Sequence, residues 1–396
     1  MATGKALYRN ARVYTPGGPI KDGYVLVGTD GVIEAVGQMP GGEEEEKDTI
    51  LKLAGEVDCG GMLLVPGFID IHVHGGGGFD VLSGLPEELD GMSRFHAEHG
   101  TTAFLATTAT VEHKRLLHAL SQAGASVGQT SGAELCGIHL EGPFICKARR
   151  GAQSLEAIRL PDPEIMETYL EAASGNIRLV TLAPEVEGGL EAVRYLISQG
   201  ITVSAGHTDA TYEQMRRAVE AGVSQTTHHF NGMRPMHHRE PGAAGAGLLL
   251  DELTTELICD GVHVHPAAVK LLFDVKRPER VCLITDALFC AGLPDGSYGD
   301  IVVRGGENML ADGSSLAGSS LTMLQALRNA LKYTGRTLEE LLPSLTSVPA
   351  RQAGLQRHKG ELKAGKHADF LLLDAELQLQ ATFVRGQLVY RRRTAG

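Results

Sequence analysis

Short apolar runs alternate with helical stretches from about residue 62 to about residue 345 of this 396-residue chain. Runs rich in β-branched residues that are separated by helices are typical of βαβ units around a parallel sheet. A parallel strand can be reached only through a long crossover, so this alternation is compatible with few folds. Eight such runs are present, at residues 64–71, 101–106, 135–140, 177–183, 201–205, 224–227, 256–259 and 280–285.

Eight strands with helical crossovers predict an α/β fold, a (β/α)8 TIM barrel, whose usual size is about 250 residues. The segments on either side of the barrel both contain strand patterns, and neither is long enough to form a core alone. We therefore expect them to form one small β-sandwich domain beside the barrel. The predicted bounds are residues 63–354 for the barrel, and residues 1–62 and 355–396 for the small domain.

The composition argues against several classes of function. Lys and Arg number 36 and Asp and Glu number 48, so the net charge is −12, and no basic stripe suggests a nucleic-acid partner. No apolar run approaches the roughly 18 residues of a membrane span. The start of the chain lacks the apolar stretch of a secretory signal, and the six cysteines show no CxxC pairing. We expect a cytoplasmic protein with reduced thiols.

Ionisable side chains follow six of the eight apolar runs directly. In a barrel of this type the reactive residues lie just past the carboxyl ends of the strands, so these side chains are expected to share one face. Each follows a buried strand, where desolvation is costly without a partner. The residues, in chain order, are His72 and His74, Glu141, His207, His228, His263 and Asp286.

The first of these groups has the spacing of a metal-binding pair. Side chains alternate along a strand with period two, so His72 and His74 lie on the same face. Glu141 adds a hard carboxylate, and His207 and His228 add nitrogen ligands, a set that suits Zn²⁺ with one open position.

Asp286 follows the last run, and two interpretations of its role are open. It could be a further metal ligand, or it could shuttle a proton between water and a leaving group.

Two loops have the composition of an anion-binding site. The loop after His228 contains Arg239, and the loop from Asp260 to His263 adds an imidazole. In an acidic protein, a convergent Arg and His predict a small phosphate or carboxylate substrate, because Arg binds such groups bidentately. The run of glycines at 75–78 lacks the Gly-Lys-Ser/Thr ending of a phosphate loop, and we interpret it as a flexible loop at the mouth of the site.

Other histidines fall outside this pattern. His96 and His99, and likewise His113 and His118, lie in polar helical contexts and are expected at the surface.

Seven segments that contain these residues resemble the amidohydrolase superfamily and, within it, the N-acetylglucosamine-6-phosphate deacetylase family. The resemblance runs through nearly the whole barrel, and the Glu-Gly-Pro segment and the loop ending Arg-Glu-Pro-Gly are its more specific parts. The segments lie at residues 66–75, 137–144, 204–208, 227–233 with 239–242, 260–263, 283–287, and 316–319 with 321–323.

The resemblance implies a metal-dependent deacetylase that converts N-acetyl-D-glucosamine 6-phosphate to D-glucosamine 6-phosphate and acetate in amino-sugar catabolism. It implies a divalent ion, preferably Zn²⁺, held by Glu141, His207 and His228, and allows a second ion at His72 and His74. Asp286 is implied as the general base and then the general acid, and a homodimer is usual for the family.

The resemblance also implies a set of substrate contacts, in which Arg239 and His263 lie toward the phosphate. The implied contacts are Ala152, Asn231, Gly232, Arg239, Asp260, Gly261, Val262, His263, Leu316, Ala317 and Gly318.

Gln153 departs from the family pattern. The family loop usually ends in a Gly-Ala-His triplet whose His helps to polarise the amide carbonyl, and here the triplet is Gly151-Ala152-Gln153. Gln153 can donate a neutral hydrogen bond but no charge, so either the metal carries more of the oxyanion stabilisation or the activity is reduced.

Two other functions remain open from the sequence. One is a barrel amidohydrolase that acts on a cyclic amide or performs a deamination, for which a phosphate-binding loop would be unnecessary. The other is a catalytically silent barrel that binds a sugar phosphate, and Gln153 is the residue that favours it.

Overall fold

The computed structural model describes residues 4–39 and 54–393, and the structural statements below concern these ranges. Its strands are β1 (Lys5–Thr15), β2 (Gly18–Val27), β3 (Ile33–Gln38), β4 (Ala54–Asp58), β5 (Leu63–Pro66), β6 (Phe68–Val73), β7 (Gly75–Gly76), β8 (Phe79–Asp80), β9 (Thr101–Thr107), β10 (Glu134–Glu141), β11 (Ile177–Leu182), β12 (Thr202–Ala205), β13 (Gln225–Thr226), β14 (Thr254–Ile258), β15 (Val281–Ile284), β16 (Gly296–Tyr298), β17 (Ile301–Arg304), β18 (Glu307–Leu310), β19 (Phe370–Leu373), β20 (Leu379–Val384) and β21 (Gln387–Arg391). Its α-helices are α1 (Pro86–Ala97), α2 (His113–Ser126), α3 (Pro163–Ala172), α4 (Gly189–Ser198), α5 (Tyr212–Ala221), α6 (Gly242–Leu249), α7 (Pro266–Lys276), α8 (Met323–Thr334), α9 (Leu338–Leu345) and α10 (Ser347–Gln352).

The central feature is a barrel of parallel strands. Within the described residues, eight strands pair in the order β6, β9, β10, β11, β12, β13, β14 and β15, and all of the pairs are parallel. The ends of this order meet, because the backbone N–H of Asp286, just after β15, donates to the carbonyl of His72 in β6 at 2.9 Å. Each predicted apolar run overlaps one of these strands, which confirms the predicted (β/α)8 barrel.

The barrel strands form because their residues are buried on both faces. Every residue of β6 and β9 is buried, as expected for parallel strands that helices cover. Several helices begin at residues whose side chains satisfy free N–H groups of the first turn, for example Thr211, which forms a capping box with Gln214 before α5. None of the helices in the described ranges is both long and apolar enough to cross a membrane.

A second sheet combines strands from both ends of the described chain. Its order is β21, β20, β19, β5, β1, β2 and β3, with β4 paired to β1. The N-terminal and C-terminal segments meet where β19 pairs antiparallel with β5. This sheet confirms a sandwich-like domain built from both segments, while the exact domain bounds stay a prediction.

The first predicted apolar run is divided between the two sheets. Its beginning, β5, belongs to the terminal sheet, and β6 belongs to the barrel, with Gly67 as the only residue between them. A Cβ atom at Gly67 would overlap the side chain of Thr102 on the neighbouring barrel strand. The absence of a side chain at Gly67 therefore lets the chain pass directly from one sheet into the other.

A small antiparallel sheet of β16, β17 and β18 follows the last barrel strand. This insertion was not predicted from the sequence. Ile301 and Leu310 from this sheet line the cavity at the mouth of the barrel. The insertion therefore forms part of the wall of the candidate site.

A buried ionic cluster joins the terminal sheet to the barrel. The Lys359 side chain is 3% exposed, and its Nζ lies 2.6 Å from Glu134 at the start of β10 and 2.7 Å from Asp369 before β19. Arg385 adds a second contact to Glu134 at 3.1 Å. Burial alone would lower the pKa of Lys359, but the carboxylates, Asp369 foremost, hold it above its usual value. Lys359 is therefore charged and fully paired.

Replacing Lys359 with Met should destabilise the protein by about 3–5 kcal/mol, because the buried Asp369 carboxylate loses its cation and the half-buried Glu134 keeps only Arg385. The matched control is Lys270→Met, which removes an exposed ion pair with Asp274 and should cost no more than about 0.5 kcal/mol. Urea unfolding followed by circular dichroism measures both. Equal losses of unfolding free energy in the two variants would show that the cluster contributes nothing special.

Candidate metal centre and substrate pocket

Three predicted ligands meet at the mouth of the barrel. Glu141 ends β10, and His207 and His228 each lie two residues beyond a barrel strand. Glu141 Oε1 is 3.2 Å from the Nε2 atoms of both His207 and His228, and these two nitrogens are 3.2 Å apart. A tetrahedral Zn²⁺ site with bonds near 2.0 Å has ligand atoms about 3.3 Å apart. The three atoms thus have the spacing of three corners of such a site.

The two histidines are oriented by backbone carbonyls. His207 Nδ1 donates to the carbonyl of Arg149 at 2.9 Å, and His228 Nδ1 donates to the carbonyl of Asn231 at 3.0 Å. Because Nδ1 carries the proton in both hydrogen bonds, Nε2 is left with its lone pair directed at the centre. The local contacts thus select the tautomer that binds a cation.

The backbone at these strand ends has an unusual conformation. His207, His228 and Asp286 have φ angles of 48°, 28° and 51°, in the left-handed region that non-glycine residues rarely adopt. Such a conformation costs about 1–2 kcal/mol per residue. Strain of this kind persists where surrounding contacts fix it and is common at functional sites. It turns these three side chains inward from the ends of their strands.

His72 and His74 lie beside the first three ligands. His72 Nε2 is 3.5 Å from Glu141 Oε1, and His74 Nε2 is 3.1 Å from Asp286 Oδ1 and 3.5 Å from Glu141 Oε2. His72 Nε2 is also buried without a hydrogen-bond partner. A buried nitrogen of this kind needs an explanation, and a bound cation provides one. Glu141 with His72 and His74 can hold a metal ion, as can Glu141 with His207 and His228.

Glu256 is a site residue that was not predicted from the sequence. It is fully buried in β14, and its Oε2 accepts hydrogen bonds from His72 Nδ1 at 2.9 Å and from the backbone N–H of His228 at 3.0 Å. Gln225 donates to its other oxygen at 2.6 Å. Glu256 therefore fixes the His72 tautomer and ties it to the His228 loop. The available signal was a carboxylate inside an otherwise apolar predicted strand.

The ionised carboxyl groups of the cluster favour the binding of a cation. Burial alone would raise the pKa of Asp286, but His72 and His74 outweigh it and lower that pKa to about 2. The pKa of Glu141 is likewise held well below its usual value, because the neighbouring histidines outweigh burial. Both carboxyl groups are therefore ionised at neutral pH. A divalent cation would satisfy them at the geometry described above.

A cavity of about 550 Å³ opens above these residues. His74, Glu141, His207, His228 and Asp286 reach it from below, whereas His72 is buried beneath it. Apolar side chains form part of its wall, including Val111, Leu288 and Phe289. Seven of the predicted substrate contacts line it, namely Ala152, Asn231, Gly232, His263, Leu316, Ala317 and Gly318.

The remaining predicted contacts lie outside this cavity. Arg239 is exposed, and its guanidinium donates to His238 Nε2 at 2.9 Å. Asp260 supports the loop that carries His263, because its Oδ2 accepts from His263 Nδ1 at 2.6 Å. Asp260, Gly261 and Val262 therefore position His263 rather than line the cavity.

The glycine run after His74 differs from the prediction. Gly75 and Gly76 form strand β7 and are buried, not part of a loose loop. A Cβ at Gly75 would overlap the backbone of Phe79 and Phe289, which requires glycine there. His96, predicted at the surface, is fully buried beneath this turn, and its Nε2 contacts the carbonyl of Gly75 at 2.9 Å. The surface prediction for His96 was wrong, because the glycines allow α1 to pack closely.

We expect Glu256→Gln to weaken metal binding at His72 and His74 by about 10- to 100-fold, the usual loss when a group that orients a metal ligand is altered. The amide keeps the shape but cannot accept all of the donated hydrogen bonds. Metal content after dialysis against graded chelator concentrations measures the loss. The exposed Glu252→Gln variant is the control, and an equal metal content in the two variants would contradict this role.

Comparisons with known proteins identify the family of the chain. The amidohydrolase family profile matches residues 63–389. The chain is 39% identical to an N-acetylglucosamine-6-phosphate deacetylase of Bacillus subtilis (strain 168) over 392 residues, which cover 97% of each chain. It is 37% identical to an N-acetylgalactosamine-6-phosphate deacetylase of Escherichia coli O157:H7, over 96% of this chain and 98% of that one.

The solved structures give the same result for the fold. A D267A mutant of N-acetyl-D-glucosamine-6-phosphate deacetylase from Mycobacterium smegmatis, in complex with N-acetyl-D-glucosamine-6-phosphate, is 35% identical. Its TM-score is 0.89, over 98% of this chain and 99% of that chain. The chain therefore belongs to the amidohydrolase family.

Proposed function

We propose that this chain hydrolyses the acetamide of N-acetylglucosamine 6-phosphate to glucosamine 6-phosphate and acetate. The observation that carries the proposal is the arrangement of Glu141, His207 and His228 within 3.2 Å of one another below a cavity that Asp286 also reaches. A carboxylate beside a metal site can serve amide hydrolysis. The similarity to deacetylases along nearly the full length supports the same reaction.

The proposed cofactor is a divalent ion, preferably Zn²⁺. Glu141, His207 and His228 would hold the first ion, and His72 and His74, with Asp286 nearby, would hold a second. When bound, such an ion acts as a Lewis acid that makes water more acidic and polarises a carbonyl group. One carboxylate with imidazole nitrogens is a donor set that suits zinc.

Asp286 is proposed to move the proton. Its low pKa keeps it ionised, so its Oδ1 can accept a proton from the attacking water. Once protonated, the same group can donate to the sugar nitrogen as the C–N bond breaks. The contact with His74 at 3.1 Å keeps the carboxylate at the floor of the cavity.

His263 is proposed to contact the phosphate. Burial alone would lower its pKa, but Asp260 outweighs burial and raises it, which favours the charged imidazolium. A charged donor at the cavity wall suits a phosphate group. The backbone at Asn231 and Gly232 and the segment from Leu316 to Gly318 are proposed to bind the sugar, and Ala152 lies beside them.

We also propose a homodimer, because Arg239 does not line the cavity of its own chain. Its loop and the adjacent helices α6 and α7 carry exposed apolar side chains, namely Met236, Leu249, Leu271 and Val275. A second copy packed on this face would cover them and could bring the partner's Arg239 to the phosphate. The proposed location is the cytoplasm, where unpaired cysteines such as the six of this chain persist.

The Asp286→Asn variant should lose about 10²- to 10⁴-fold in kcat, because the amide cannot take up the proton. Acetate release at saturating substrate measures the loss. Asp22→Asn, which makes the same change at an exposed carboxyl group of the terminal sheet outside the cavity, should retain its rate. Near-normal turnover by the Asp286→Asn variant would remove Asp286 from the mechanism.

Acetate release should be much faster from N-acetylglucosamine 6-phosphate than from N-acetylglucosamine. Losing one charged hydrogen bond costs about 1.5–3 kcal/mol, so His263→Ala and Arg239→Ala should each lower kcat/KM on the phosphorylated sugar by roughly 10- to 150-fold. Both variants should act on the unphosphorylated sugar as the parent does. Equal rates of the parent protein on the two sugars would contradict the phosphate assignment and favour the other amidohydrolase activities.

Co-expression of the Arg239→Ala and Asp286→Asn chains tests the dimer. In a mixed dimer, one site would combine an intact Asp286 with the partner's Arg239, which would restore roughly a quarter of the parent rate under random pairing. If Arg239 acts within its own chain, the mixed preparation gains nothing over the separate variants.

A further inference from the structure

The loop at residues 146–153 contacts two of the three proposed metal ligands. It begins where the backbone N–H of Cys146 donates to the carbonyl of His207 at 2.8 Å. The carbonyl of Arg149 then accepts from His207 Nδ1 at 2.9 Å, and Gln153 Nε2 donates to Glu141 Oε2 at 2.6 Å. One loop therefore orients both a histidine and the carboxylate of the centre.

The Gln153 amide is fixed at both ends. Its Oε1 accepts from the backbone N–H of Thr110 at 2.7 Å, so its NH₂ group must face Glu141. The backbone carbonyl of Gln153 accepts a hydrogen bond from Arg150 Nη1 at 2.8 Å. Two hydrogen bonds to the side chain and one to the backbone leave the amide little freedom.

The two carboxylate oxygens of Glu141 have different partners in this arrangement. Gln153 occupies Oε2, and Oε1 faces His207 and His228 at 3.2 Å each. Rotation of the carboxylate about its long axis would break the 2.6 Å hydrogen bond with Gln153. A short hydrogen bond to a buried carboxylate is a strong restraint.

We propose that Gln153 is a positioning residue that locks Glu141 with Oε1 toward the metal site, rather than a group that polarises the substrate carbonyl. The inference rests on the metal site of the proposed function. It reverses the expectation from the sequence, in which Gln153 stood as a weaker substitute for a carbonyl-polarising His. The amide oxygen and one N–H are already engaged by Thr110 and Glu141. Gln153 also lines the cavity, so its remaining N–H provides the alternative that the test must exclude.

The test is a zinc titration of the metal-free protein in competition with a chromophoric chelator. Gln153→Met keeps the length of the side chain and removes both of its hydrogen bonds, and Gln153→Asn keeps the amide but is one methylene too short to span Thr110 and Glu141. Both variants should bind zinc about 10- to 100-fold more weakly. The control Ser154→Ala alters the next residue of the chain, whose hydroxyl contacts Glu156, and should bind zinc as the parent does.

Kinetics then separate positioning from polarisation. A positioning role predicts that the zinc concentration for half-maximal activity rises, while kcat at saturating zinc and KM stay near the parent values. Unchanged zinc affinity together with a kcat that excess zinc does not restore would make Gln153 a catalytic donor and overturn the proposal. If the parent protein binds no divalent ion in the same titration, the proposed function fails and this inference fails with it.

Discussion

Closure of eight parallel strands into a ring is the constraint on which the site depends. It brings the carboxyl ends of strands that are distant in sequence to one mouth, and it places Glu141, Asp286 and Glu256 within one buried region. Carboxylates that share a low-dielectric space repel one another unless positive charge lies among them. A cation at the centre that the histidines surround would supply that charge.

The groups that orient the ligands come from three separate parts of the chain. The carbonyl of Arg149 holds His207, the carbonyl of Asn231 holds His228, and Glu256 holds His72. Each partner leaves the same ring nitrogen, Nε2, free to face the centre. The orientation of the ligands therefore depends on these loop carbonyls and on Glu256 as much as on the ligands themselves.

The barrel and the common face of the ligand residues could be predicted from the sequence, because both follow from the periodicity of strands and from their parallel alignment. Strand period puts His72 and His74 on one face, and parallel strands align the residues that follow them. The side chains that were misjudged or missed depend on contacts between distant segments. His96 is buried because α1 packs on Gly76, and Glu256 matters because it meets His72 across the barrel. Contacts between such distant segments leave no periodic pattern in the sequence.

Arg239 illustrates a different limit. Its position after His228 in the chain suggested a place in the pocket, yet the loop turns outward and leaves the guanidinium exposed. Neighbourhood in sequence thus failed as a guide to neighbourhood in space, whereas Ala152 and Leu316, far apart in the chain, line the same cavity.

The single residue between β5 and β6 couples the terminal sheet to the barrel. Because only Gly67 separates a strand of the terminal sheet from the strand that carries His72, the two sheets share one continuous extended segment. A replacement of the terminal sheet would also change the backbone that leads into β6 and its ligand His72. The terminal sheet and the candidate metal centre are therefore covalently linked through a single residue, so a displacement of β5 would also displace the strand that holds His72.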